Sequence, residues 1–356
     1  MELDSKIYVA GHRGLVGTAF MRCLEGQGFT NVITRTHSDL DLTDQPAVRS
    51  FFENERPEYV FVAAAKVGGI HANNSYPAEF IRQNLAIQDN VIHQCWCTGI
   101  KRLLFLGSSC IYPRECPQPM KEAYLLTGPL EPTNRPYAVA KIAGIEMCWA
   151  YNRQYGTQYL TVMPTNLYGP GDNYDLQDSH VLPALIRKFH LARLAEQGDL
   201  EGIRKNETFY GPIPQDVKKA LGLSADSLQL ASSSPRVLLW GTGNARREFL
   251  YSDDMADACV SLMNLTDKGF KRFLSPLSPP LVNIGCGSDN TIRELSNPVK
   301  DIVGFTGEIV WDSDKPDGNP QKLLDTSLLA SLGWEPTTKL TKGIKKAFQD
   351  YLEYQS

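Results

Sequence analysis

Tyr137 and Lys141 have the types and spacing of a catalytic pair. They are four positions apart in a segment with helical periodicity, so they lie on one helix face, one turn apart. A nearby ammonium favours the phenolate and lowers a tyrosine pKa from about 10 towards a range useful for donating a proton to a carbonyl being reduced. Because the same spacing also occurs in ordinary surface pairs, it indicates a reductase only together with a nucleotide-binding fold.

Two serines and a cysteine follow a short apolar run in the stretch FLGSSCIYP, residues 105–113. The run 102–106 predicts a buried strand, and the carboxyl ends of parallel strands line a ligand crevice. Ser108 and Ser109 are therefore expected where a hydroxyl can hydrogen-bond a substrate carbonyl. Cys110 taken alone has an alternative role as a small buried hydrophobic residue, since that is how free cysteines usually behave.

Three glycines, Gly11, Gly14 and Gly17, follow the first apolar run at residues 6–10 and precede helical periodicity over 18–25. Glycine lets the backbone approach a pyrophosphate closely, and the start of the following helix offers free N–H groups. The alternative is a tight turn with close helix packing. The position between a strand and a helix favours dinucleotide binding.

The residues at the end of the second predicted strand indicate whether the protein binds NAD or NADP. NAD-binding proteins commonly have a carboxylate there for the ribose hydroxyl, whereas NADP-binding proteins have a basic residue for the 2′-phosphate. This strand ends in Arg35 and His37, and Arg13 lies inside the glycine loop. The three residues favour NADPH, although each arginine can also be a solvated surface charge.

The elements that must position these residues alternate between strands and helices. Repeated β-α units with nearly continuous apolar strands predict a parallel sheet covered on both faces, which is an α/β, Rossmann-type, doubly wound fold. The predicted strands of this part are 6–10, 31–35, 59–64, 102–106 and 158–163, and the predicted helices are 18–25, 45–54, 78–97 and 137–155.

Composition and charge exclude several classes of protein. The 356 residues carry a formal net charge of −4 with scattered basic residues, so neither nucleic acid nor a membrane surface is an expected partner. The apolar runs are shorter than the ~20 residues of a membrane helix, and the start MELDSKIYVAG lacks a signal segment, which predicts a cytoplasmic location. The eight cysteines show no zinc-type CxxC pair, so no metal site is expected.

A resemblance to a known family rests on several motifs taken together. They are GHRGLVG, GSSCIYP, YAVAK, MPTNLYGP, SHVLP (179–183), WGTG (240–243), REFL (247–250) and KPDG (315–318). In combination these resemble the GDP-L-fucose synthases, extended short-chain dehydrogenases that act as both epimerase and reductase on GDP-4-keto-6-deoxy-D-mannose. The resemblance covers most of the chain and leaves out mainly residues 191–235.

The resemblance implies two sets of catalytic residues. Ser108, Tyr137 and Lys141 are similar to the family's reductase triad. Cys110 and His180 match its base and acid for inverting carbons 3 and 5. The chemistry requires such groups, because protons next to a ketone become acidic only when hydrogen bonds stabilise the enolate, and inversion needs a base and an acid on opposite faces of the ring.

The resemblance also implies binding positions for NADP(H) and for the GDP moiety. Lys188 stands where the family often has arginine, which keeps the charge but loses the forked geometry. His37 likewise stands where an arginine often lies beside the 2′-phosphate. The NADP(H) positions are Gly11, His12, Arg13, Gly14, Leu15, Val16, Gly17, Arg35, His37, Leu106, Gly107, Ser109, Lys141, Pro164, Thr165, Asn166, Leu167 and His180. The GDP positions are Lys188, Trp240, Arg247, Asp317 and Lys322.

Two domains are predicted from these assignments. The NADP-binding domain comprises 1–168 and 248–288, and a smaller C-terminal α/β substrate-binding domain comprises 169–247 and 289–356. The charged, loop-rich stretch 191–235 is expected to be a surface insertion atypical of the family.

A homodimer is implied by the family, which packs two helices per subunit into a four-helix bundle. The corresponding helices here are 78–97 and 137–155. Their compatible apolar positions are Ile81, Leu85, Ile92, Met147 and Ala150, which core packing explains equally well.

Two competing functions remain open. One is a relative that only reduces, or that acts on another GDP-4-keto sugar such as a heptose. The other is a nucleotide-sensing binding protein without turnover. Such proteins commonly lose the tyrosine or the lysine, and both Tyr137 and Lys141 are present here.

Overall fold

Strands and helices alternate along the chain in the computed structural model, which describes residues 1–224, 234–315, 317 and 319–353. The strands are β1 (Ile7–Ala10), β2 (Val32–Ile33), β3 (Tyr59–Val62), β4 (Arg102–Leu106), β5 (Tyr159–Pro164), β6 (Asn166–Tyr168), β7 (Arg236–Trp240), β8 (Arg246–Tyr251), β9 (Leu281–Ile284), β10 (Asp289–Thr291), β11 (Glu308–Asp312) and β12 (Gln321–Lys322). The helices are α1 (Leu15–Gly26), α2 (Gln45–Glu55), α3 (Ile70–Ser75), α4 (Pro77–Cys97), α5 (Arg135–Tyr155), α6 (Val181–Glu196), α7 (Leu200–Tyr210), α8 (Gln215–Ala220), α9 (Ser252–Met263), α10 (Asp267–Lys271), α11 (Ile292–Val303), α12 (Ser327–Ala330) and α13 (Leu340–Glu353).

The chain divides into two units. Unit 1 comprises Met1–Leu167, Leu250–Gly287 and Leu323–Thr337, and unit 2 comprises Tyr168–Phe249, Ser288–Lys322 and Thr338–Ser356. The segment 323–337 thus lies in unit 1, whereas the sequence analysis assigned it to the substrate domain. The reason is a pairing far apart in sequence, because the Met120 amide donates to the Leu323 carbonyl at 2.7 Å and the Asp325 amide donates to the Met120 carbonyl at 2.8 Å.

The core of unit 1 is a six-stranded sheet with the order β2-β1-β3-β4-β5-β9. Every neighbouring pair is parallel. The order reverses between β1 and β3, and in such sheets the ligand crevice lies at the carboxyl ends of the strands around that reversal. The predicted strand 31–35 is shorter than expected and covers only Val32–Ile33, because β2 is an edge strand that pairs with β1 alone.

Side chains alternate between the two faces of this sheet, which is why the strands read as continuous apolar runs. Ile7 and Val9 of β1 enter a buried cluster with residues of α1 and α9. Tyr8 and Ala10 enter a second buried cluster with residues of α2, α4 and α5. Helices therefore cover both faces, and the prediction of a doubly wound α/β fold is confirmed.

Unit 2 contains two small sheets and several helices. β7 and β11 pair in parallel, while β8 pairs antiparallel with β10 and parallel with β12. The predicted loop-rich character of 191–235 is wrong for residues up to 220, which form the end of α6 and the helices α7 and α8. Residues 225–233, the centre of the predicted insertion, lie outside the described residues.

The helix α7, with the sequence LEGIRKNETFY, buries one apolar and one polar side chain. Ile203 and Asn206, three positions apart, are both fully buried. Asn206 accepts a hydrogen bond of 3.0 Å from the guanidinium of Arg187 on α6, which is itself fully buried. The buried Asn206 interrupts the apolar periodicity of this face, and this explains the wrong prediction.

Within the part of the chain that the structure describes, no helix combines the length and the apolar character needed to cross a membrane. The longest helices, α4 and α5, have 21 residues each and include several polar side chains.

Candidate active site

The glycine turn between β1 and α1 holds its shape only with glycine at two positions. Gly11 has a φ of +85°, and a Cβ there would lie 2.7 Å from the amide nitrogen of Ala64. A Cβ on Gly17 would lie 2.0 Å from the carbonyl oxygen of Gly11. Gly14 precedes α1 and forms no side-chain capping bond, so the first N–H groups of α1 are available to an anion. The turn can therefore hold a pyrophosphate.

Replacing Gly17 by alanine is expected to abolish measurable NADPH binding, because the turn must open to accommodate the methyl group. Gly26, on the same helix, is a matched control, since a Cβ there would meet nothing within 4 Å. Gly26→Ala should bind NADPH like the parent chain and melt at the same or a slightly higher temperature. Fluorescence titration with NADPH measures both variants, and equal affinity in Gly17→Ala would contradict this role of the turn.

Two basic residues near the end of β2, Arg35 and His37, lie close to carboxylates of unit 1. Arg35 donates from Nη2 to Glu55 Oε1 at 2.5 Å and lies 5.2 Å from the ring centre of Phe51. Arg13 is exposed, and His37 is 85% exposed with Nδ1 3.9 Å from Asp41 Oδ1.

Asp39 is a carboxylate in this region that the sequence analysis missed. Hydrogen bonds from Thr36 lower the pKa of Asp39, and Arg13 and Arg35 lower it further. Its position four residues after Arg35 was the available signal. Asp39 brings a negative charge close to both arginines that were predicted to meet a phosphate.

The predicted reductase residues come together at the carboxyl end of β4. Ser108 follows this strand, and its Oγ accepts a hydrogen bond of 3.4 Å from the amide of Cys110. The phenol of Tyr137 on α5 is hydrogen-bonded to Ser108, and the Cys110 thiol is close enough to affect the pKa of Tyr137. The hydroxyl groups of Ser108 and Tyr137 and the thiol of Cys110 therefore lie close together in unit 1.

Lys141 is buried behind this cluster. Its Nζ donates to the carbonyl oxygen of Leu106 at 2.7 Å and lies 5.8 Å from the ring centre of Tyr137. Burial lowers the pKa of Lys141 to about 8. The Lys141 side chain therefore stabilises the end of β4, because its hydrogen bond goes to the backbone carbonyl of Leu106.

The pKa of Tyr137 differs from the sequence-based prediction. We expected Lys141 to lower it, but burial raises it well above the usual value, and the Cys110 thiol raises it further. The hydrogen bond from Ser108 opposes the shift only in part. The physical reason is that desolvation disfavours the charged phenolate more than its neighbours compensate. Tyr137 is consequently a neutral phenol at neutral pH.

The remaining predicted cofactor positions of unit 1 lie at the ends of β4 and β5. Gly107 is close-packed, because a Cβ there would lie 2.3 Å from Met163 Cε. The Thr165 amide donates to the Ile284 carbonyl at 3.0 Å, which fixes the chain beyond β5. His12, in the glycine turn, has a pKa lowered mainly by burial. The other members of this group, which follow the same strand ends and glycine turn, are Leu15, Val16, Leu106, Ser109, Pro164, Asn166 and Leu167.

In unit 2, His180 is the residue that precedes α6, and its side chain makes no capping bond. Desolvation lowers the pKa of His180, so its imidazole is mainly neutral near pH 7. Two turns further along α6, Lys188 donates from Nζ to the Leu238 carbonyl at 3.0 Å and lies 5.9 Å from the ring centre of Trp240. Trp240 ends β7 and is 59% exposed.

The other predicted GDP residues are held by the backbone around β8 and β12. Arg247 donates from Nη1 to the Asn319 carbonyl at 2.6 Å, and burial lowers its pKa. Asp317 accepts from the amide and hydroxyl of Thr242 at 2.9 and 2.7 Å, so its carboxylate shapes the turn after Trp240. Lys322 pairs with Arg247 in the β12–β8 register.

Two charged residues next to Trp240 were missed by the sequence analysis. The indole Nε1 donates to Asp216 Oδ2 at 3.3 Å, and Lys315 Nζ lies 5.3 Å from the indole ring centre. Lys315 begins the KPDG motif, which was a usable signal. Asp216 had none, because it lies on α8 in the stretch expected to be an insertion.

Comparisons with known proteins identify the family of this chain. Residues 7–205 and 203–285 match the sequence family described as the NAD dependent epimerase/dehydratase family. A protein of Arabidopsis thaliana named Putative GDP-L-fucose synthase 2 is 51% identical over 353 residues, covering 99% of this chain and 93% of that protein. The GDP-L-fucose synthase of Escherichia coli is 45% identical, covering 98% of this chain and 97% of that protein.

Solved structures show the same similarity. MlghC, a GDP-mannoheptose C4 reductase from Campylobacter jejuni with NADP bound, superimposes with a TM-score of 0.83. It is 40% identical, and the match covers 99% of both chains.

Proposed function

The chain belongs to the NAD dependent epimerase/dehydratase family and, within it, to the GDP-L-fucose synthases, and from this premise we propose its reaction. It converts GDP-4-keto-6-deoxy-D-mannose to GDP-L-fucose by inverting carbons 3 and 5 and then reducing the 4-keto group with NADPH. The observation that carries the proposal is the cluster of Ser108, Cys110 and Tyr137 at the carboxyl end of β4. One place then offers hydrogen-bond donors for a ketone and a thiol for its neighbouring carbons.

The residues of unit 1 fit the NADP(H) that this reaction requires. Gly11 and Gly17 leave no room for side chains in the turn, and the start of α1 presents N–H groups towards a pyrophosphate. Arg13 and Arg35 are assigned to the 2′-phosphate, and what supports this is that both are close enough to Asp39 to lower its pKa. When bound, NADPH supplies the hydride.

Ser108 and Tyr137 bind the substrate ketone in both reactions. Hydrogen bonds to the ketone oxygen stabilise the enolate that forms when a proton leaves a neighbouring carbon. In the reduction, Tyr137 gives its proton to the oxygen at carbon 4. Burial raises the pKa of Tyr137, which keeps the phenol protonated at neutral pH but also makes it a weaker acid than an ordinary tyrosine.

Cys110 and His180 carry out the two inversions. The Cys110 thiolate removes the proton from the carbon next to the ketone, and the His180 imidazolium returns a proton on the opposite face. Desolvation lowers the pKa of His180, so the protonated acid is a minority species near pH 7 and becomes more abundant as the pH falls towards that pKa. Lys188, Trp240, Arg247, Asp317 and Lys322 are assigned to the GDP moiety.

A different GDP-4-keto sugar is the second candidate substrate. The similarity to MlghC, a GDP-mannoheptose C4 reductase, is what favours it. The greater identity with the curated fucose synthases, 51% against 40%, favours the 6-deoxyhexose.

One experiment separates these functions. GDP-4-keto-6-deoxy-D-mannose is supplied with NADPH in D₂O, NADPH oxidation is followed by absorbance, and the product is identified by NMR. We expect oxidation of NADPH and GDP-L-fucose carrying deuterium at carbons 3 and 5. Oxidation without deuterium at these carbons would indicate a reductase only, and binding without oxidation would indicate a protein that senses the nucleotide.

A cytoplasmic homodimer is the proposed state of the enzyme. The outward faces of α4 and α5 carry exposed apolar side chains, including Leu85 at 37% and Val139 at 38% exposure. Ile81, Met147 and Ala150 remain candidates for the interface. Ile92 is fully buried in the core, so it is no longer a candidate for the interface.

Sedimentation should show a dimer that Leu85→Glu converts to a monomer. The exposed residue Leu277, which lies on neither helix, gives the control Leu277→Glu, which should remain dimeric.

A further inference from the structure

We propose that Asp216 determines the specificity for the nucleotide by accepting hydrogen bonds from the guanine base. The inference rests on the proposed function in taking GDP as the nucleotide and Trp240 as the residue beside its base. Asp216 lies on α8, in the stretch that the sequence analysis expected to be a surface insertion. This part of the chain therefore contributes to the substrate site.

The geometry places a carboxylate at the edge of an accessible aromatic ring. Trp240 is 59% exposed, so more than half of the surface of this side chain is accessible to a flat base. The indole Nε1 donates to Asp216 Oδ2 at 3.3 Å, which puts the carboxylate beside the ring. A purine stacked on the indole would thus bring its own edge close to the same carboxylate.

The carboxylate has acceptor capacity left for a base. Asp216 Oδ1 accepts from the Val217 amide at 3.0 Å, and Oδ2 accepts from the indole of Trp240. An ionised carboxylate offers about four acceptor sites, so one remains on each oxygen. Guanine presents two neighbouring donors, the N1–H and the 2-amino group, whereas adenine presents an acceptor at N1 and uracil only one donor. The two remaining sites therefore match guanine.

Positive charges around Trp240 reduce the electrostatic repulsion between the Asp216 carboxylate and a diphosphate. Lys188 and Lys315 place their ammonium groups 5.9 and 5.3 Å from the ring centre of Trp240. Burial lowers the pKa of Lys188, and the charge of Asp216 opposes that shift, which shows that the two groups interact. Two positive charges near Asp216 offset its repulsion of phosphate. Lys315 is exposed and free to move away from the ring when a base stacks there.

The test compares GDP with inosine diphosphate, which lacks only the 2-amino group, by isothermal titration calorimetry. We expect the parent chain to bind GDP about 10- to 100-fold more tightly, since one charge-assisted hydrogen bond is lost with inosine diphosphate. In Asp216→Ala, the affinity for GDP should fall until it equals the affinity of the same variant for inosine diphosphate. Asp216→Asn, which preserves the shape of the side chain, should reduce the ratio in the same direction. Glu201→Ala removes an exposed carboxylate of α7 that pairs with Lys205, and it should leave the ratio unchanged.

The outcomes separate this inference from the proposed function. If Asp216 merely orients Trp240, both affinities will fall equally in Asp216→Ala and the ratio will persist, which would overturn the inference and leave the function intact. If the parent chain binds ADP or UDP in preference to GDP, both the proposed function and this inference fail.

Discussion

Replacing Tyr137 by phenylalanine is expected to lower the rate of NADPH oxidation by about 10²–10⁴-fold, the usual contribution of a positioned proton donor. The variant keeps the ring, and with it the packing against Phe80 at 6.3 Å, so the loss should come from the hydroxyl alone. Deuterium exchange at carbons 3 and 5 should fall less, because Ser108 still donates to the enolate oxygen. Stopped-flow absorbance and NMR measure the two reactions.

Tyr155 provides the matched control on the same helix. Its side chain is 44% exposed, and Tyr155→Phe should leave both rates unchanged. A Tyr137→Phe variant that oxidised NADPH within a factor of about ten of the parent rate would exclude Tyr137 as the proton donor, since that is below the usual contribution of such a group.

Replacing Cys110 by serine is expected to separate the two activities. A serine hydroxyl is a far weaker base than a thiolate, so deuterium incorporation at carbons 3 and 5 should fall by about 10²–10⁴-fold. The hydroxyls of Ser108 and Tyr137 remain, and reduction of the ketone should continue. The expected product is a GDP-6-deoxyhexose reduced at carbon 4 that retains the original configuration at carbons 3 and 5.

Cys116 serves as the control for this substitution. It is a partly buried cysteine six residues further along the chain, and Cys116→Ser should still give GDP-L-fucose. Cys110 is 6% exposed, so thermal melting of both variants should accompany the assay to exclude a loss of fold. Full epimerase activity in a folded Cys110→Ser variant would show that another group is the base.

The direction of the pKa shift of Tyr137 could not be predicted from the sequence. We expected Lys141 to lower the pKa of Tyr137, yet Lys141 Nζ donates to the Leu106 carbonyl, and burial raises the pKa of the phenol. A neutral phenol is the form that reduction requires, because a ketone receives a proton along with the hydride. An ordinary tyrosine is also neutral at pH 7, so desolvation mainly makes Tyr137 a weaker proton donor than expected. The role of Tyr137 as the proton donor therefore stays a prediction, which the Tyr137→Phe variant tests.

The sequence by itself determined the features that depend on near neighbours in the chain. The glycine spacing at Gly11 to Gly17 follows from contacts within one turn, where a Cβ on Gly17 would meet Gly11. The one-turn separation of Tyr137 and Lys141 follows from helix geometry alone. The apolar strands β1, β3 and β4 are fully buried, and hydrophobic runs identified them.

Only the tertiary structure decided the features that depend on contacts between distant residues. The helix α7 buries Asn206 against Arg187, so a polar residue interrupts the apolar pattern of its inward face. Asp216 accepts a hydrogen bond from Trp240, which is 24 positions away. Protonation states likewise depend on burial, since desolvation is set by every group that surrounds a side chain. Local patterns therefore identified candidate residues and the strands and helices that carry them, while packing determined how each group is charged and what it contacts.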